Sequence, residues 1–331
     1  MLFAFYMVIR NYKDELSKYL ICLFIYLLFE LIIYKFNVKI DFYFYSIRYL
    51  YFLLIIVFLK TYNKSNRNDL LKYLDAALFL NSVLIIVGVC FRLYIFKTYN
   101  GDRLGYNGIL NMVSDTNYIY GFYILVNLFK PIIGRSKIII LINITVATLA
   151  GTKTVIFLTL LFLVIKLFKF NKKLFYALAG TSVIGFLVFK NFVINKLLIL
   201  TKEHVGIYND HGLLSSLTST RFSNLTNTIK SIFNSDISVI DFVFYNRNFI
   251  NYRVEMELFD LFFFWGALGS VLFLFIIYRT NKIIIHQRDY AILISLFIIS
   301  CFAGKLLTNF TSLLIVYSFL TSKPSFLNEK N

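Results

Sequence analysis

The sequence contains few of the residues that interrupt or cross-link a chain. It has 2 prolines, 3 cysteines and 3 histidines among 331 residues. Cys22, Cys90 and Cys301 each lie inside an apolar run, so we expect small buried core residues and neither a disulfide framework nor a metal site. No nucleophile elbow, Walker loop or glycine-rich dinucleotide fingerprint is present. We therefore expect no cofactor and no hydrolase or nucleotide-driven chemistry.

Acidic residues are also scarce, with 17 Asp and Glu against 34 Lys and Arg. The excess of positive charge is scattered through short loops and forms no basic face with exposed aromatics, which argues against a nucleic-acid partner. Hydrophobic residues make up 59% of the chain, too many for a soluble domain of this size to bury. The composition therefore predicts an all-α protein with the lipid bilayer as its partner, in which residues 1–331 form a single integral membrane domain.

Apolar runs divide the chain into ten predicted transmembrane helices. They are Tyr19–Tyr34, Phe42–Leu59, Tyr73–Phe96, Gly108–Phe129, Ile138–Ala150, Val155–Phe168, Phe175–Phe189, Phe259–Tyr278, Tyr290–Ala303 and Leu306–Leu320. Most loop Lys and Arg residues then fall on one side, which the positive-inside rule assigns to the cytoplasm. Both termini are accordingly predicted to be cytoplasmic, and residues 191–257 to form one large extracytoplasmic loop.

The runs Ile138–Ala150 and Val155–Phe168 are each shorter than the roughly 20 residues of a full crossing. A single crossing here would place the later basic loops outside, against the positive-inside rule. Two short helices are therefore favoured, joined by a linker, Gly151-Thr152-Lys153-Thr154, that is sunk below the outer surface. Non-helical backbone at that depth must face protein or water, which predicts a recess open to the outside.

Several outward-facing polar residues are candidates for chemistry. Four cations could bind a phosphate or pyrophosphate, although a single outer Arg or Lys is often only a solvated or headgroup contact. Two carboxylates could supply a general base, or could merely cap a helix N-terminus. The cations are Arg103, Lys153, Arg221 and Arg253, the carboxylates are Glu255 and Glu257, and weaker candidates for sugar binding are Asp115, Asn117 and His211.

Glu30 and Arg48 are ionisable residues inside apolar runs, where a charge is costly unless it is paired or has a task. We expect them to pair with neighbours.

The order of these features between Asn100 and Tyr278 resembles the Wzy-type O-antigen and capsular polysaccharide polymerases and the related O-antigen ligases. The resemblance is carried by an R-x-G element before a helix, an Asn near that helix start, the Gly-Thr-Lys-Thr turn, an Arg in the large loop, and E-x-E leading into a helix with Gly266-x-x-Gly269. This sequence has Lys153 and Thr116 where the family often has Arg and Pro. It has Glu255 where ligases typically carry His, which favours a polymerase.

The resemblance implies a C-type glycosyltransferase architecture in the bacterial cytoplasmic membrane. It implies that undecaprenyl-pyrophosphate-linked oligosaccharide repeat units are joined on the outer face with inversion, releasing undecaprenyl pyrophosphate. It further implies that Arg103, Lys153, Arg221 and Arg253 bind the pyrophosphate, that Glu255 or Glu257 lies near the attacking hydroxyl, and that a chain-length regulator protein is a candidate partner.

The alternatives are O-antigen ligase-type transfer and a flippase for lipid-linked oligosaccharides. Transporters tend to show paired repeats and broken helices, and the sequence indicates neither. A membrane acyltransferase would need a buried His, whereas none of the three histidines lies in a predicted helix.

Overall fold

The protein is described by a computed structural model over fourteen segments. These are residues 15–33, 40–62, 65–99, 105–110, 112–130, 134–173, 176, 206, 209–210, 212, 215, 218–234, 243–244 and 253–322. Across these segments the fold is all-helical, as the sequence predicts, with no strand beyond the isolated antiparallel bridge between Lys97 and Tyr106.

Ten α-helices lie within the described residues, and all but one occupy predicted apolar runs. They are α1 Glu15–Ile33, α2 Ile40–Tyr62, α3 Arg67–Phe91, α4 Val113–Phe129, α5 Lys137–Ala147, α6 Lys153–Phe170, α7 Arg221–Asn234, α8 Glu257–Ile284, α9 Tyr290–Ala303 and α10 Phe310–Thr321. The predicted helix Phe175–Phe189 lies outside the described residues.

Polar capping residues move some boundaries away from the apolar runs. Helix α3 begins at Arg67, six residues before the predicted start, because the Asn66 side chain accepts a hydrogen bond from the Asn68 N–H. Helix α10 begins at Phe310 rather than at the predicted Leu306, because the Asn309 side chain caps it by accepting from the Ser312 N–H at 3.1 Å. The predicted start of α10 is therefore wrong by four residues, and residues 304–309 form a linker between α9 and α10.

Three helices within the described residues are long and apolar enough to cross a membrane, namely α2, α3 and α8. Large apolar side chains such as Ile25, Ile32 and Val271 are exposed on the helix surfaces. In water such a surface would be an aggregation hazard, whereas lipid solvates it. These features indicate a membrane protein.

The chain forms two compact units, one made of residues 1–156 and 238–331 and the other of residues 157–237. In the first unit α3 packs on α5, α10 on α2 and α4, and α8 on α1 and α9. An aromatic cluster lies where α2 meets α8. The Tyr49 ring lies 5.4 Å from Phe264 and 5.5 Å from Phe273, and Trp265 stacks on Phe273 at 5.8 Å. Aromatic pairs at these distances add packing energy beyond area burial.

One end of the first unit is held together by a buried carboxylate. Asp289, immediately before α9, is fully buried and forms ion pairs with Arg67 at 2.7 Å and with Lys130. Arg67 also donates a hydrogen bond to the Leu320 carbonyl. The start of α3, the end of α4, the start of α9 and the end of α10 therefore meet at this end, which we call the Asp289 cluster.

A second buried polar network lies between α3, α4 and α5. The Arg135 guanidinium donates to both carboxylate oxygens of Asp75 and, at 2.8 Å, to the Asn127 side chain. The Tyr123 hydroxyl donates to Asp75 at 2.6 Å. Every polar group in such a network needs a partner because the interior cannot solvate it, and these contacts supply the partners.

Helix α8 is interrupted at Gly266, where φ is 66° and ψ is −175°. An added Cβ there would overlap the Phe244 carbonyl oxygen, so only glycine fits. The expectation that no helix is broken is therefore wrong. Hydropathy could not detect the break, because the residues on both sides of Gly266 are equally apolar.

The expectation that the three cysteines are buried is also wrong, since Cys22 and Cys90 are exposed and Cys301 is only half-buried. In a membrane helix an apolar position can face lipid as easily as the protein core, so hydrophobicity alone does not report burial. Glu30 and Arg48, each expected to pair with a neighbour, have uncharged neighbours. Arg48 lies over the Phe44 ring at 4.2 Å, and the Glu30 carboxylate lies beside the Tyr26 hydroxyl.

The second unit contains the C-terminal part of α6 and the amphipathic helix α7. The start of α7 is capped by Thr218, whose hydroxyl accepts from the Phe222 N–H at 3.1 Å. Leu225 and Thr228 lie one turn apart and are buried, while most of the helix is polar. Helix α7 lies inside the stretch 191–257. Most of that stretch is outside the described residues, and its extracytoplasmic placement stays a prediction.

Candidate functional site

The segment that leads into α8 is folded around Asp260. The Asp260 carboxylate accepts a hydrogen bond from the Val254 N–H at 2.8 Å and lies 4.0 Å from the Arg253 guanidinium. Arg253 also donates to the Tyr45 hydroxyl at 2.9 Å. This organisation holds Glu255 in a left-handed conformation, with φ of 59°, which L-residues adopt at a cost. The segment is thus fixed by side chains rather than by regular structure.

The linker between α9 and α10, residues 304–309, lies against this segment. A Cβ added at Gly304 would overlap the Glu255 carbonyl oxygen, so the two backbones touch. Helices α9 and α10 have 14 and 12 residues, which at 1.5 Å per residue is about 21 Å and 18 Å. Because both are shorter than a hydrocarbon core of about 30 Å, the linker is expected to be inset from the membrane surface.

Glu255 and Lys305 form an ion pair at the contact between the two segments. The Lys305 Nζ to Glu255 Oε1 distance is 2.8 Å, and the two side chains are 38% and 41% exposed. Both residues have positive φ. The site therefore holds a carboxylate and an ammonium side by side on strained backbone. Both side chains are half-exposed, so a ligand can reach them.

Glu257 has a different environment, since it is only 1% exposed. Its carboxylate accepts hydrogen bonds from the backbone N–H groups of Leu306 and Leu307 in the linker. Its Oε2 atom has no hydrogen-bond partner among the described residues. Glu257 therefore fastens the first turn of α8 to the linker that carries Lys305.

The start of α4 reaches the same linker. The Tyr118 hydroxyl donates to the Gly304 carbonyl, and the Asn309 side chain donates to Ser114 at 3.0 Å. Asp115 is buried and accepts a 3.4 Å contact from the Ser312 hydroxyl. The structure thus brings the predicted residues Glu255 and Glu257 to the linker, with Arg253 in the adjoining segment and Asp115 beside the start of α10. The predicted residue Asn117 precedes Tyr118, and its buried Oδ1 has no partner in the described part of the chain.

The predicted break before α6 is present and lies apart from this linker, but it is shorter than predicted, since Lys153 and Thr154 are already in α6. Helix α5 ends in a 3₁₀ turn at Thr148–Ala150, Gly151 has φ of 69°, and α6 begins at Lys153. Residues between α3 and α4 pack on this break. Thr98 donates to the Ala150 carbonyl at 2.9 Å, and the Tyr106 N–H donates to the Leu149 carbonyl at 3.0 Å.

Three predicted ligands are not placed at the linker. Arg103 and His211 lie outside the described residues. Arg221 is the first residue of α7 in the second unit, and its assignment to a pyrophosphate stays a prediction.

Lys305 is the site residue that sequence reasoning missed. A usable signal exists, because Gly304-Lys305 lies between two short apolar runs, as Gly151-Thr152-Lys153 does. Both breaks have a left-handed glycine followed within two residues by a lysine. The hydrogen bonds from Leu306 and Leu307 to Glu257 had no sequence signal, because they come from the backbone of apolar residues.

An apolar crevice of about 320 Å³ begins beside the linker. Leu306 and Leu307 line one end, Asn281 and Tyr290 line the other, and apolar residues of α8, α9 and α10 line most of the rest. Its lining is mostly apolar, and it includes the two residues whose backbone N–H groups bind Glu257.

Comparisons with protein-family models, curated proteins and solved structures found no match to this chain. The resemblance in the order of sequence features therefore stays a prediction.

Proposed function

We propose that this protein is a C-type membrane glycosyltransferase that joins undecaprenyl-pyrophosphate-linked oligosaccharide units on the outer face of the bacterial cytoplasmic membrane. The observation that carries the proposal is the Glu255–Lys305 ion pair, which lies at an inset linker and beside an apolar crevice. A base, a cation and a hydrocarbon channel at one place match a substrate that has a hydroxyl, a pyrophosphate and a lipid chain.

The Asp289 cluster supports the orientation of the site. Arg67 and Lys130 belong to loops that the positive-inside rule assigns to the cytoplasm, and both meet Asp289 at one end of the first unit. Helix α9 runs from Asp289 at that end to Gly304, and α4 runs from the linker to Lys130. The linker with Lys305 would then face the outside, with ten crossings and both termini in the cytoplasm.

In the proposed reaction the Glu255 carboxylate takes the proton of an acceptor sugar hydroxyl. The resulting oxygen attacks the anomeric carbon of the donor, and the bond from that carbon to the pyrophosphate oxygen breaks with inversion. Lys305 and Arg253 stabilise the negative charge on the departing undecaprenyl pyrophosphate. The pyrophosphate-binding roles of Arg103, Lys153 and Arg221 stay predictions from the sequence. Binding of the pyrophosphate draws Lys305 from Glu255, which frees the carboxylate to act as a base.

Of the two predicted catalytic carboxylates, Glu255 is the better candidate for the base. Its side chain is half-exposed, whereas Glu257 is buried and binds two backbone amides. Glu257 is then a positioning residue that sets the place of Lys305. Asp115 is buried beside the start of α10 and the Asn117 Oδ1 atom is also buried, and their roles in sugar binding stay predictions.

A second candidate function is a flippase for the same lipid-linked oligosaccharides. The break in α8 favours it, because broken helices at membrane depth are typical of transporter binding sites. Ligase-type transfer remains an alternative for the same site, and the presence of Glu at position 255 favours a polymerase over it.

The test is Glu255→Gln in a host strain whose own gene copy is deleted. The amide cannot accept the proton, so we expect polymer formation to fall about 100-fold or more, and surface polysaccharide to show single repeat units in place of a ladder on gels. Absence of any surface unit would favour the flippase. An intact ladder would remove Glu255 from the mechanism.

Glu15→Gln is the matched control. Glu15 is also a half-exposed glutamate in an ion pair, 3.1 Å from Arg279, but it lies at the start of α1. We expect its ladder to be normal, with both variants present in the membrane at the wild-type level.

A further inference from the structure

Glu30 is a buried carboxylate that the proposed reaction does not use. It lies in the apolar helix α1 and is 0% exposed. Its carboxylate lies beside the Tyr26 hydroxyl, one turn earlier, and has no charged partner among the described residues. An isolated carboxylate in an apolar interior is strongly unfavourable, so its charge requires a counter-ion or a proton.

Arg48, the basic residue inside the apolar helix α2, does not supply that counter-ion. Arg48 lies over the Phe44 ring at 4.2 Å and near the Tyr45 ring at 5.6 Å. Among the ion pairs of the described residues, those of the first unit join Arg67, Lys72, Lys130, Arg135, Arg253, Arg279 and Lys305 to other carboxylates. No cation within the described part of the chain therefore pairs with Glu30.

The break in α8 places carbonyl oxygens next to the same part of α1. At Gly266 the backbone leaves the helix, and the carbonyl oxygens of Val243 and Phe244 lie against this residue. The Trp265 carbonyl, just before the break, accepts a hydrogen bond from the Tyr26 hydroxyl at 3.1 Å. Backbone carbonyls that leave a helix ladder are common cation ligands in membrane proteins.

Contacts on one face of α1 connect Glu30 to this break. Tyr26 bonds to Trp265, and the Phe29 ring lies 5.8 Å from the Phe244 ring. Residues three and four apart share a helix face, so Tyr26, Phe29 and Glu30 lie on neighbouring positions of the surface that meets the break. Gly269, one turn after the break, leaves room for the Tyr26 ring, because an added Cβ would lie 2.6 Å from its hydroxyl.

We propose that Glu30, with the carbonyl oxygens at the Gly266 break, forms a buried binding site for Na⁺. One carboxylate balances the single charge of Na⁺, and neutral carbonyl and hydroxyl oxygens suit a hard cation. A divalent ion fits less well, since Ca²⁺ takes six to eight oxygens and usually several carboxylates. Bound Na⁺ neutralises Glu30 and links α1 to both halves of α8.

The experiment uses the purified full-length protein in lipid nanodiscs, with NaCl replaced stepwise by choline chloride at constant ionic strength and pH. Because a ligand that binds only the folded state raises its stability, we expect the wild-type Tm to rise saturably with Na⁺. The Glu30→Gln variant should keep its fold and lose this rise. Glu15→Gln, in the same helix but exposed, should retain the full rise.

Equilibrium binding of radioactive ²²Na⁺ to the wild-type protein is a second measurement that does not depend on how the variant folds. Saturable binding near one ion per chain, abolished by Glu30→Gln, supports the site. Absence of saturable binding overturns it, as does a Na⁺-dependent Tm that survives in Glu30→Gln. A wild-type Tm that responds only to acidification also overturns it, because Glu30 then carries a proton.

Discussion

At the scale of single residues, the site depends on backbone conformations that only a few positions adopt. Glu255, Gly304 and Lys305 all have positive φ and meet at one contact. Glycine at position 304 is required because the Glu255 carbonyl occupies the space of its side chain. Such strained positions persist only where the surroundings hold them, and they are concentrated at functional sites.

Gly266 offers the sharpest test of a single residue. In Gly266→Ala the added Cβ would overlap the Phe244 carbonyl and the backbone would keep a left-handed φ. We expect a loss of about 3 kcal/mol or more in unfolding free energy, seen as a lower Tm and less protein in the membrane.

Gly134→Ala is the control for this change. Gly134 has φ of 86° but nothing within 4 Å of an added Cβ. The Gly134→Ala variant therefore carries the conformational cost of a left-handed alanine, about 1–2 kcal/mol, without a clash. An equal loss of unfolding free energy in both variants would show that the clash with the Phe244 carbonyl adds nothing to the effect of Gly266→Ala.

At the scale of elements, short helices and their linkers decide where the chemistry lies. The sequence predicts the break near Lys153 because two apolar runs are too short to cross alone. It also predicts a break after Ala303, but with a two-residue linker where the structure has six residues. The difference arises because Leu306 and Leu307, although apolar, turn their backbone amides to the Glu257 carboxylate, a tertiary contact that local propensity cannot show.

The Asp289 cluster tests how elements are joined. Asp289→Asn removes the negative charge shared by Arg67 and Lys130 and leaves two partly buried cations without a carboxylate. Breaking a buried pair typically costs about 3–5 kcal/mol, so we expect Tm to fall markedly in the purified protein.

The exposed Asp69, which lies in α3 with Arg67, provides the comparison. It lies 4.0 Å from Lys72, and both side chains are more than half exposed. Asp69→Asn should change stability by less than about 1 kcal/mol. A fall in Tm as large as that of Asp289→Asn would contradict a specific role for the buried cluster.

At the scale of the whole molecule, the proposed function requires the linker with Lys305 to face the cell exterior. This placement follows from the positive-inside rule, and it agrees with Arg67 and Lys130 meeting at the opposite end of α4 and α9. It can be tested in a background in which Cys22, Cys90 and Cys301 are replaced by alanine.

In spheroplasts carrying Lys305→Cys we expect rapid labelling by a membrane-impermeant maleimide. Lys72→Cys, an exposed position near the start of α3, should be labelled only after the membrane is permeabilised. Labelling of position 72 from outside, with position 305 protected, would show the opposite topology. The linker would then face the cytoplasm, away from the proposed lipid-linked substrate.

The sequence by itself determined that the chain is helical and apolar, and approximately where its helices lie, because hydropathy and charge are local properties summed along the chain. It also identified Glu255, Glu257 and Arg253, since carboxylates and a cation before an apolar run are visible in order. Only the tertiary structure separated the exposed Glu255 from the buried Glu257 and added Lys305 to the site. It also showed the break in α8 at Gly266 and a buried Glu30 that no described cation neutralises. Those features depend on contacts between residues distant in sequence, such as Glu255 with Lys305 and Gly266 with Phe244, and no local pattern records which distant group occupies the space beside a side chain.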